Sequence, residues 1–395
     1  MNLVTPLIPL LILLPADSNA GDVRIGLLTL FRPETLEVRV ASSEGANLAA
    51  TGVAGTFPIK NRESIFIRLS GGQLRIELGD GRTLAAMDAR ITPVGSKALE
   101  LNLPGRIKRA VRGELLVGAG PGGRGPLSIV LTTDREAAVA SVVAAESNRR
   151  VPEALKSLAV VIRSFMLAHE GRHSSEGYDF CDTTHCQFYR GEQDPSLAAA
   201  STAVEDAVAA TRGEFLAYEG RVVEGYYTAA CGGLSVTPAM LWGGSTSYPY
   251  RRVSCRWCRG SRFDKWERSA DASRVFAALS DFIGKKLSVS AELVMDRDAS
   301  SGFVRSITIV EASTHTTLTA DAFRRAIGLK LGWNTVLSAT FTLERRGQRV
   351  IFRGRGFGSQ IGLCEEGAIA QAAAGRTYRE ILRFYYPAST IHEQR

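Results

Sequence analysis

The chain has 395 residues, of which 45% are hydrophobic and 22% are charged, and its formal net charge is +8. This length allows one elaborate domain or two to three smaller ones. Six cysteines are too few for a disulfide-built scaffold, and no arginine-rich or aromatic-basic run indicates nucleic-acid binding. The positive charge favours an acidic partner, such as anionic lipid or an acidic cell-wall polymer, although a merely basic surface would explain it equally well.

The N-terminus begins with a short apolar run, Leu7–Leu14, which is too short to span a bilayer as a helix. Its length suits the core of a signal peptide, and the small residues Ser18 and Ala20 suit a cleavage site, although no Lys or Arg precedes the run. We therefore predict a cleaved export signal over residues 1–20. The mature protein is then expected to be soluble, without a transmembrane span, and periplasmic or extracellular and associated with the cell wall.

The region from residue 22 to about 135 contains short alternating or β-branched segments separated by turn residues, which predict strands. These segments are VRIGLLTL, LEVRVAS, SIFIRLSG, QLRIELG, GELLVGAG and LSIVLTT. We predict a β-rich N-terminal region over residues 21–125. The glycine-rich stretch at 118–126 lacks the GK[ST] ending of a phosphate loop and is predicted to be a turn or linker.

Helical patterns follow this region. A short helix is predicted to end near Glu146, and a second one begins near Pro152, a residue that suits the first helical position, and ends at Gly171. A third, alanine-rich helix is predicted at about 196–212. The predicted fold class is α+β, with helices and antiparallel sheet after the β-rich region.

Further secondary structure is predicted in the rest of the chain. A hairpin and a strand are predicted over 214–237, and alternating helix and strand over about 271–350, where no chemistry is evident. Two helices are predicted near the C-terminus, one from about Glu366 and one from Thr377.

Cysteine and histidine residues concentrate in the segment after the second helix. Cys181, His185 and Cys186 lie within six residues of one another, and His173 lies eight residues before Cys181. Thiolate and imidazole groups at this spacing fit a closed tetrahedral Zn²⁺ site with a structural role. A disulfide between Cys181 and Cys186 is the alternative for an exported protein.

Three later cysteines leave several arrangements open. Cys255 and Cys258 form a C-x-x-C pair, and Cys231 directly precedes two glycines. The three residues could form a second metal site or join the first one. A Cys255–Cys258 disulfide is about as consistent with the spacing.

These separated pieces together resemble one family, stage II sporulation protein D (SpoIID), which is grouped with the amidase enhancer LytB. The matching segments are VVAAES, PEALKSLAVVIRSF, YDFCDTTHCQFYRG, CGGLS, LWGG, YPYRRV, FRRAIG, LSATF, GRGFGSQIGLCEEGA and TYREILRFYYPAS. The resemblance covers about residues 126–395, and it implies that this part is the catalytic domain.

The resemblance implies an activity, because active members of this family are lytic transglycosylases that cleave peptidoglycan glycan strands, notably strands without stem peptides. It places the family's catalytic glutamate on Glu146 and its metal ligands on Cys181, His185, Cys186 and, less directly, His173. One glutamate suffices for this chemistry, because the sugar's own 6-hydroxyl is the nucleophile. The carboxyl first protonates the leaving oxygen and then accepts the proton of that hydroxyl.

Further residues are predicted to bind the glycan. The aromatic ring of Trp242 could stack on a sugar, and the forked donors of Arg251 could pair with the lactyl carboxylate of a peptide-free muramic acid. The full predicted substrate-binding set is Asp182, Thr184, Gln187, Tyr189, Gly232, Gly233, Trp242, Arg251, Gly358, Ser359 and Glu365.

The chain also departs from the family pattern near its C-terminus. Ser359 and Glu365 stand where the family usually has a histidine and a glutamine, and Cys364 replaces a small polar residue and is predicted to be a free thiol. These departures sustain an alternative, a non-catalytic wall-binding protein that stimulates an N-acetylmuramoyl-L-alanine amidase. An exported metallohydrolase is disfavoured, because a Cys₂His₂ set leaves no open position for water.

Overall fold

A computed structural model describes the chain over residues 21–95, 98–120, 125–192, 198–244 and 249–394. The predicted export signal, residues 1–20, lies outside the described residues. The chain forms two compact units. The N-terminal unit comprises the residues up to Asn148 together with His169–Val208, and the C-terminal unit comprises Arg149–Ala168 together with Ala209–Arg395.

Strands dominate the described part of the chain. They are β1 (Asp22–Gly26), β2 (Thr35–Val40), β3 (Ala46–Ala50), β4 (Thr56–Ile59), β5 (Ser64–Ser70), β6 (Gln73–Glu77), β7 (Thr83–Ala86), β8 (Asp88–Pro93), β9 (Ala98–Leu103), β10 (Ile107–Arg112), β11 (Glu114–Ala119), β12 (Leu127–Asp134), β13 (Phe180–Cys181), β14 (Glu214–Tyr218), β15 (Arg221–Val222), β16 (Tyr227–Thr228), β17 (Trp266–Asp271), β18 (Glu292–Arg297), β19 (Val304–Glu311), β20 (Thr314–Thr319), β21 (Phe341–Arg346), β22 (Arg349–Gly354), β23 (Leu363–Cys364) and β24 (Thr390–Glu393).

Helices begin after the last long strand of the N-terminal region. They are α1 (Arg135–Glu146), α2 (Pro152–Ala168), α3 (Ala198–Ala209), α4 (Pro238–Trp242), α5 (Ala272–Ile283), α6 (Ala320–Leu331), α7 (Glu365–Ala373) and α8 (Tyr378–Tyr385). A single 3₁₀ turn spans Ser174–Glu176. This mixture of helices and largely antiparallel sheet after a β-rich region confirms the predicted α+β class.

The N-terminal unit is built on two sheets. Among the described residues, one sheet has the strand order β13-β1-β12-β11-β8-β3-β4 and the other has the order β10-β9-β2-β5-β6-β7. Strand β6 contacts β8 and β11 of the other sheet, so the two sheets pack face to face. Exposed and buried residues alternate along β6, as expected when one face of a sheet covers a core.

Helix α1 follows β12 directly and packs against β1 and β12. Asp134 caps its first turn by accepting a hydrogen bond from the Ala137 N–H at 3.0 Å. Its apolar face is buried, with Val139, Val142 and Val143 each fully covered. This burial fixes the position of the helix within the unit.

The C-terminal unit has a core of aromatic and aliphatic side chains. Phe323, Phe341 and Phe352 stack or meet edge to face within it, at ring-centroid distances of 6.0–6.4 Å. Helix α2 packs against α7, α8 and β14. The guanidinium of its fully buried Arg163 donates to the Glu214 carbonyl at 2.7 Å, which ties the helix to β14.

Within the described residues, none of the helices is both long enough and apolar enough to cross a membrane.

Candidate active site and metal centre

Glu146 is the last residue of α1 and is partly buried. The helix ends there because Ser147 adopts an extended conformation, while its N–H still bonds to the Val143 carbonyl at 2.9 Å. Proline at position 152 also disfavours helical geometry at the residue before it. Glu146 therefore stands at the end of a helix whose apolar face is buried in the core.

Four metal-competent side chains converge in the N-terminal unit after α1 and α2 in the chain. The donor atoms of His173, Cys181, His185 and Cys186 all lie within 4.8 Å of one another. The His173 Nε2 is 3.3 Å from the Cys186 Sγ, and the His185 Nδ1 is 3.7 Å from both sulfur atoms. We call these four residues the Cys/His quartet. The structure thus brings together all four residues that the sequence predicted as metal ligands.

The two thiols of the quartet differ in acidity. A hydrogen bond from the Cys186 thiol lowers the pKa of Cys181 to about 4. The same contact raises the pKa of Cys186. One thiol of the pair therefore ionises readily, as a metal ligand must.

Glu176 orients the His173 ring by a hydrogen bond to Nδ1, the ring nitrogen that does not face the sulfur atoms. Its Oε1 accepts a hydrogen bond from His173 Nδ1 at 2.5 Å, and its Oε2 accepts one from the Tyr178 hydroxyl at 2.7 Å. The Tyr178 ring stacks on the imidazole, with 5.1 Å between centroids. A carboxylate on Nδ1 fixes the tautomer that leaves the Nε2 lone pair facing the sulfur atoms, the arrangement typical of metal-binding histidines.

Two aspartates anchor the segment that carries Cys181. Asp179 accepts hydrogen bonds from the backbone N–H of Arg24 at 2.9 Å and from its guanidinium at 2.8 Å. Asp182 is 4% exposed and accepts from Leu28 N–H, Thr29 Oγ1 and the Arg109 guanidinium at 2.6–2.8 Å. These hydrogen bonds hold the segment that carries Cys181 against β1 and β10.

The predicted sugar-binding residues of this segment occupy different environments. Both carboxylate oxygens of Asp182 accept hydrogen bonds from protein groups, so this side chain holds the local structure together. Gln187 and Tyr189 are buried, whereas Thr184 is exposed. The side chain of Thr184 is therefore the one of these four that solvent reaches readily.

The remaining predicted glycan-binding residues belong to the C-terminal unit. Trp242 is 48% exposed at the end of α4, and its ring lies 5.3 Å from that of Tyr226. Arg251 is exposed, while Ser359 and Glu365 are partly covered.

The glycines of this unit serve close packing of the chain. Gly232 has φ 70°, and a Cβ there would lie 2.8 Å from the Arg355 carbonyl carbon. Gly358 has φ 103°, and a Cβ there would meet the Thr228 hydroxyl at 2.6 Å, whereas Gly233 (φ 101°) faces open space. Two of the three glycines thus fit tight backbone contacts within the unit.

A second cluster of thiols contains one residue that the sequence did not group with the others. The sulfur atoms of Cys231, Cys255, Cys258 and Cys364 all lie within 4.8 Å of one another. Cys364 was predicted to be a free thiol, and it was not grouped with the other three because no local spacing links it to them. The parallel pairing of β16 with β23 brings it there.

Comparison with known proteins identifies the segment that carries Glu146 and the Cys/His quartet. Residues 124–218 match the sequence model of the SpoIID family, described as stage II sporulation protein. Both Glu146 and the quartet lie inside this matched segment.

Curated proteins that are similar to this chain are identical to it at about a quarter of the aligned residues. An uncharacterized protein of Brachyspira hyodysenteriae is 28% identical over 235 residues, which are 59% of this chain and 60% of that protein. Stage II sporulation protein D of Bacillus subtilis is 27% identical over 255 residues, 61% of this chain and 69% of that protein. The amidase enhancer of Bacillus subtilis is 26% identical over 286 residues, 60% of this chain and 38% of that protein. The chain thus spans only part of the length of each of these proteins.

Proposed function

We propose that the protein is an exported lytic transglycosylase that cleaves peptidoglycan glycan strands, preferentially strands without stem peptides. The observation that carries this proposal is the placement of Glu146 at the end of α1, inside the segment that matches the SpoIID family. The net charge of +8 supports it further, because a positive protein is drawn to acidic wall polymers.

Glu146 is suited to act first as a general acid. Its side chain is partly buried at the end of α1. The protonated carboxyl is the form that donates a proton to the glycosidic oxygen. After donation, the carboxylate accepts the proton of the sugar's 6-hydroxyl as that oxygen attacks the anomeric carbon, which closes an anhydro ring.

The Cys/His quartet is proposed to hold Zn²⁺ in a structural role. Two thiols and two imidazoles with donor atoms within 4.8 Å supply a complete tetrahedral donor set, and Glu176 provides the usual outer partner of a zinc-bound histidine. When bound, the ion would cross-link the loop of the 3₁₀ turn to β13. The residues of the quartet would then hold that loop, while the proton transfers stay with Glu146.

The test of this function is an analysis of products. Purified protein is incubated with glycan strands from which an amidase has removed the stem peptides, and with intact peptidoglycan, and the soluble fragments are analysed by mass spectrometry. We expect fragments ending in 1,6-anhydro-muramic acid, released faster from the stripped strands. Fragments with ordinary reducing ends would indicate hydrolysis instead and would contradict the transglycosylase proposal.

A second function is favoured by one specific similarity. A relative that is 26% identical is named an amidase enhancer, and the departures at Ser359 and Glu365 lie in a segment that resembles the family's C-terminal signature. In this alternative the protein binds the wall and stimulates an N-acetylmuramoyl-L-alanine amidase without cleaving glycan. Release of stem peptides by an added amidase, increased by this protein in the absence of any anhydro product, would select the alternative.

A further inference from the structure

The buried cysteine cluster of the C-terminal unit has no role in the proposed glycan chemistry. Cys231, Cys255 and Cys364 are 0% exposed, and Cys258 is 1% exposed. Each comes from a distinct stretch, except for the Cys255-x-x-Cys258 pair, and all four sulfur atoms lie within 4.8 Å of one another. We infer that these four cysteines form a second, structural Zn²⁺ site, separate from the Cys/His quartet.

The sulfur positions match a metal centre better than paired disulfides. In a tetrahedral zinc site with Zn–S bonds of about 2.3 Å, neighbouring sulfur atoms are about 3.8 Å apart. The Cys231 and Cys258 sulfur atoms are 3.6 Å apart, and all six cysteines of the chain have free thiols. A C-x-x-C pair completed by two distant cysteines is also a common ligand pattern of structural zinc.

Polar groups around the cluster are arranged to stabilise negative sulfur. The backbone N–H of Cys231 donates to the Cys364 Sγ at 3.3 Å, and the buried Tyr385 hydroxyl lies 3.2 Å from the Cys255 Sγ, to which it can donate. Cys364 also stands at the N-cap of α7, directly before the first turn of that helix. Thiolates that accept such hydrogen bonds are the ligand form that zinc requires.

Gly367 has no side chain, and this leaves room for the sulfur atoms of the cluster. A Cβ at this position would lie 3.0 Å from the Cys255 Sγ, 3.3 Å from the Cys364 Sγ and 2.0 Å from the Tyr385 hydroxyl oxygen. The first turn of α7 can therefore pass beside the sulfur atoms only because it carries a glycine there.

A zinc ion at this position would join three separate parts of the C-terminal unit. Cys231 precedes the Gly232-Gly233 turn, Cys255 and Cys258 belong to the loop before β17, and Cys364 starts α7. Four thiolate ligands leave no open position for water or substrate, so the site is structural. The inference is independent of the glycan-cleaving proposal.

The test measures metal and thiols in the full chain. Wild-type protein, purified without added metal or reductant, should contain two zinc ions per chain, one for each cluster. Denatured with a chelator present, it should release all six cysteines as free thiols. Absence of zinc from a folded protein that lacks the quartet cysteines, or disulfides in place of Cys231, Cys255, Cys258 and Cys364, would overturn the inference.

Matched variants assign the ions to their sites. The Cys364→Ser variant should lose one zinc and keep the other, and the Cys181→Ser/Cys186→Ser variant should do the same. X-ray absorption of the latter should show four sulfur neighbours at about 2.3 Å. Nitrogen or oxygen neighbours in that spectrum, or iron as the bound metal, would contradict a four-cysteine zinc site. If the Cys181→Ser/Cys186→Ser variant fails to fold, the zinc lost in Cys364→Ser relative to the wild type, together with the wild-type thiol count, decides the matter.

Discussion

Glu176 is a single carboxylate that orients one ligand of the Cys/His quartet, His173. It holds the His173 ring through Nδ1 and the Tyr178 ring through its hydroxyl, and the two rings stack. The hydrogen bond with His173 also lowers the pKa of Glu176, so the carboxylate form is favoured. An H-x-x-E spacing followed by tyrosine is visible in the sequence, and it is the signal that would have predicted this outer partner.

The role of Glu176 predicts a loss of metal affinity when its charge is removed. In Glu176→Gln, zinc at the quartet should bind about 10–100-fold more weakly, because the imidazole loses a charged partner. The measurement is competition with a chelator, followed by elemental analysis of the protein. Glu170→Gln is the matched control, since Glu170 is 59% exposed and faces Arg135 at 3.5 Å. Equal zinc affinity in both variants would contradict the role of Glu176.

At the scale of elements, a short strand carries Cys181 of the quartet. Strand β13 pairs in parallel with β1, and the buried Asp182 beside it is bonded to Arg109 of β10. The sequence led us to predict Asp182 as a sugar ligand, because its local context is a polar metal-rich loop. Its partners lie 73 and more residues away, and no local pattern could reveal that they would occupy its oxygens.

This anchoring predicts a difference between two arginines of β10. Arg109 and Asp182 are 8% and 4% exposed, so Arg109→Met leaves a buried carboxylate without its charged partner and should destabilise the protein by about 3–5 kcal/mol. Arg112→Met breaks a pair that is 53% and 36% exposed and should cost at most about 1 kcal/mol. Urea unfolding of both variants measures the difference. Similar losses in the two variants would refute the assignment of Asp182 as an anchor.

Gly367 in helix α7 allows a second test, of the close packing between this helix and the cysteine cluster. Gly→Ala in a helix normally stabilises by about 0.5–1 kcal/mol. Gly367→Ala should instead destabilise by about 1–3 kcal/mol and lower the zinc content, because its methyl group would overlap the Tyr385 hydroxyl and crowd the Cys255 sulfur. Thermal unfolding and elemental analysis report both effects.

A double variant distinguishes a clash between the new methyl group and the Tyr385 hydroxyl from a change in the stability of the helix itself. Adding Tyr385→Phe to Gly367→Ala removes the hydroxyl that the methyl group would meet, so part of the lost stability should return. A Gly367→Ala protein that is more stable than wild type would show that the cluster does not limit α7.

At the scale of the whole molecule, prediction from sequence succeeded where the information was local. The α+β class, the helix that begins at Pro152 and the Cys181–Cys186 motif all follow from spacing over a few residues. The strands Ala46–Ala50 and Ile107–Arg112 were harder to predict, because small or charged residues weaken their alternation. Cys364 could not be grouped with its partners, because the pairing of β16 with β23 is a long-range event.

We propose that Glu146 performs the chemistry while the cysteine and histidine residues maintain the structure. Glu146→Gln keeps the size of the side chain but cannot donate a carboxyl proton. We therefore expect it to lower the rate of glycan cleavage by about 10²–10⁴-fold, with unchanged zinc content and thermal stability. Glu136→Gln, in the first turn of the same helix, serves as the control and should keep the wild-type rate.

The most direct measurement is the rate at which the wild type, Glu146→Gln and Glu136→Gln release 1,6-anhydro-muramic products from peptide-free glycan strands. We expect product from the wild type and from Glu136→Gln, and a loss of product only in Glu146→Gln, with that protein fully folded. A folded Glu146→Gln protein that releases anhydro products at the wild-type rate would contradict this proposal.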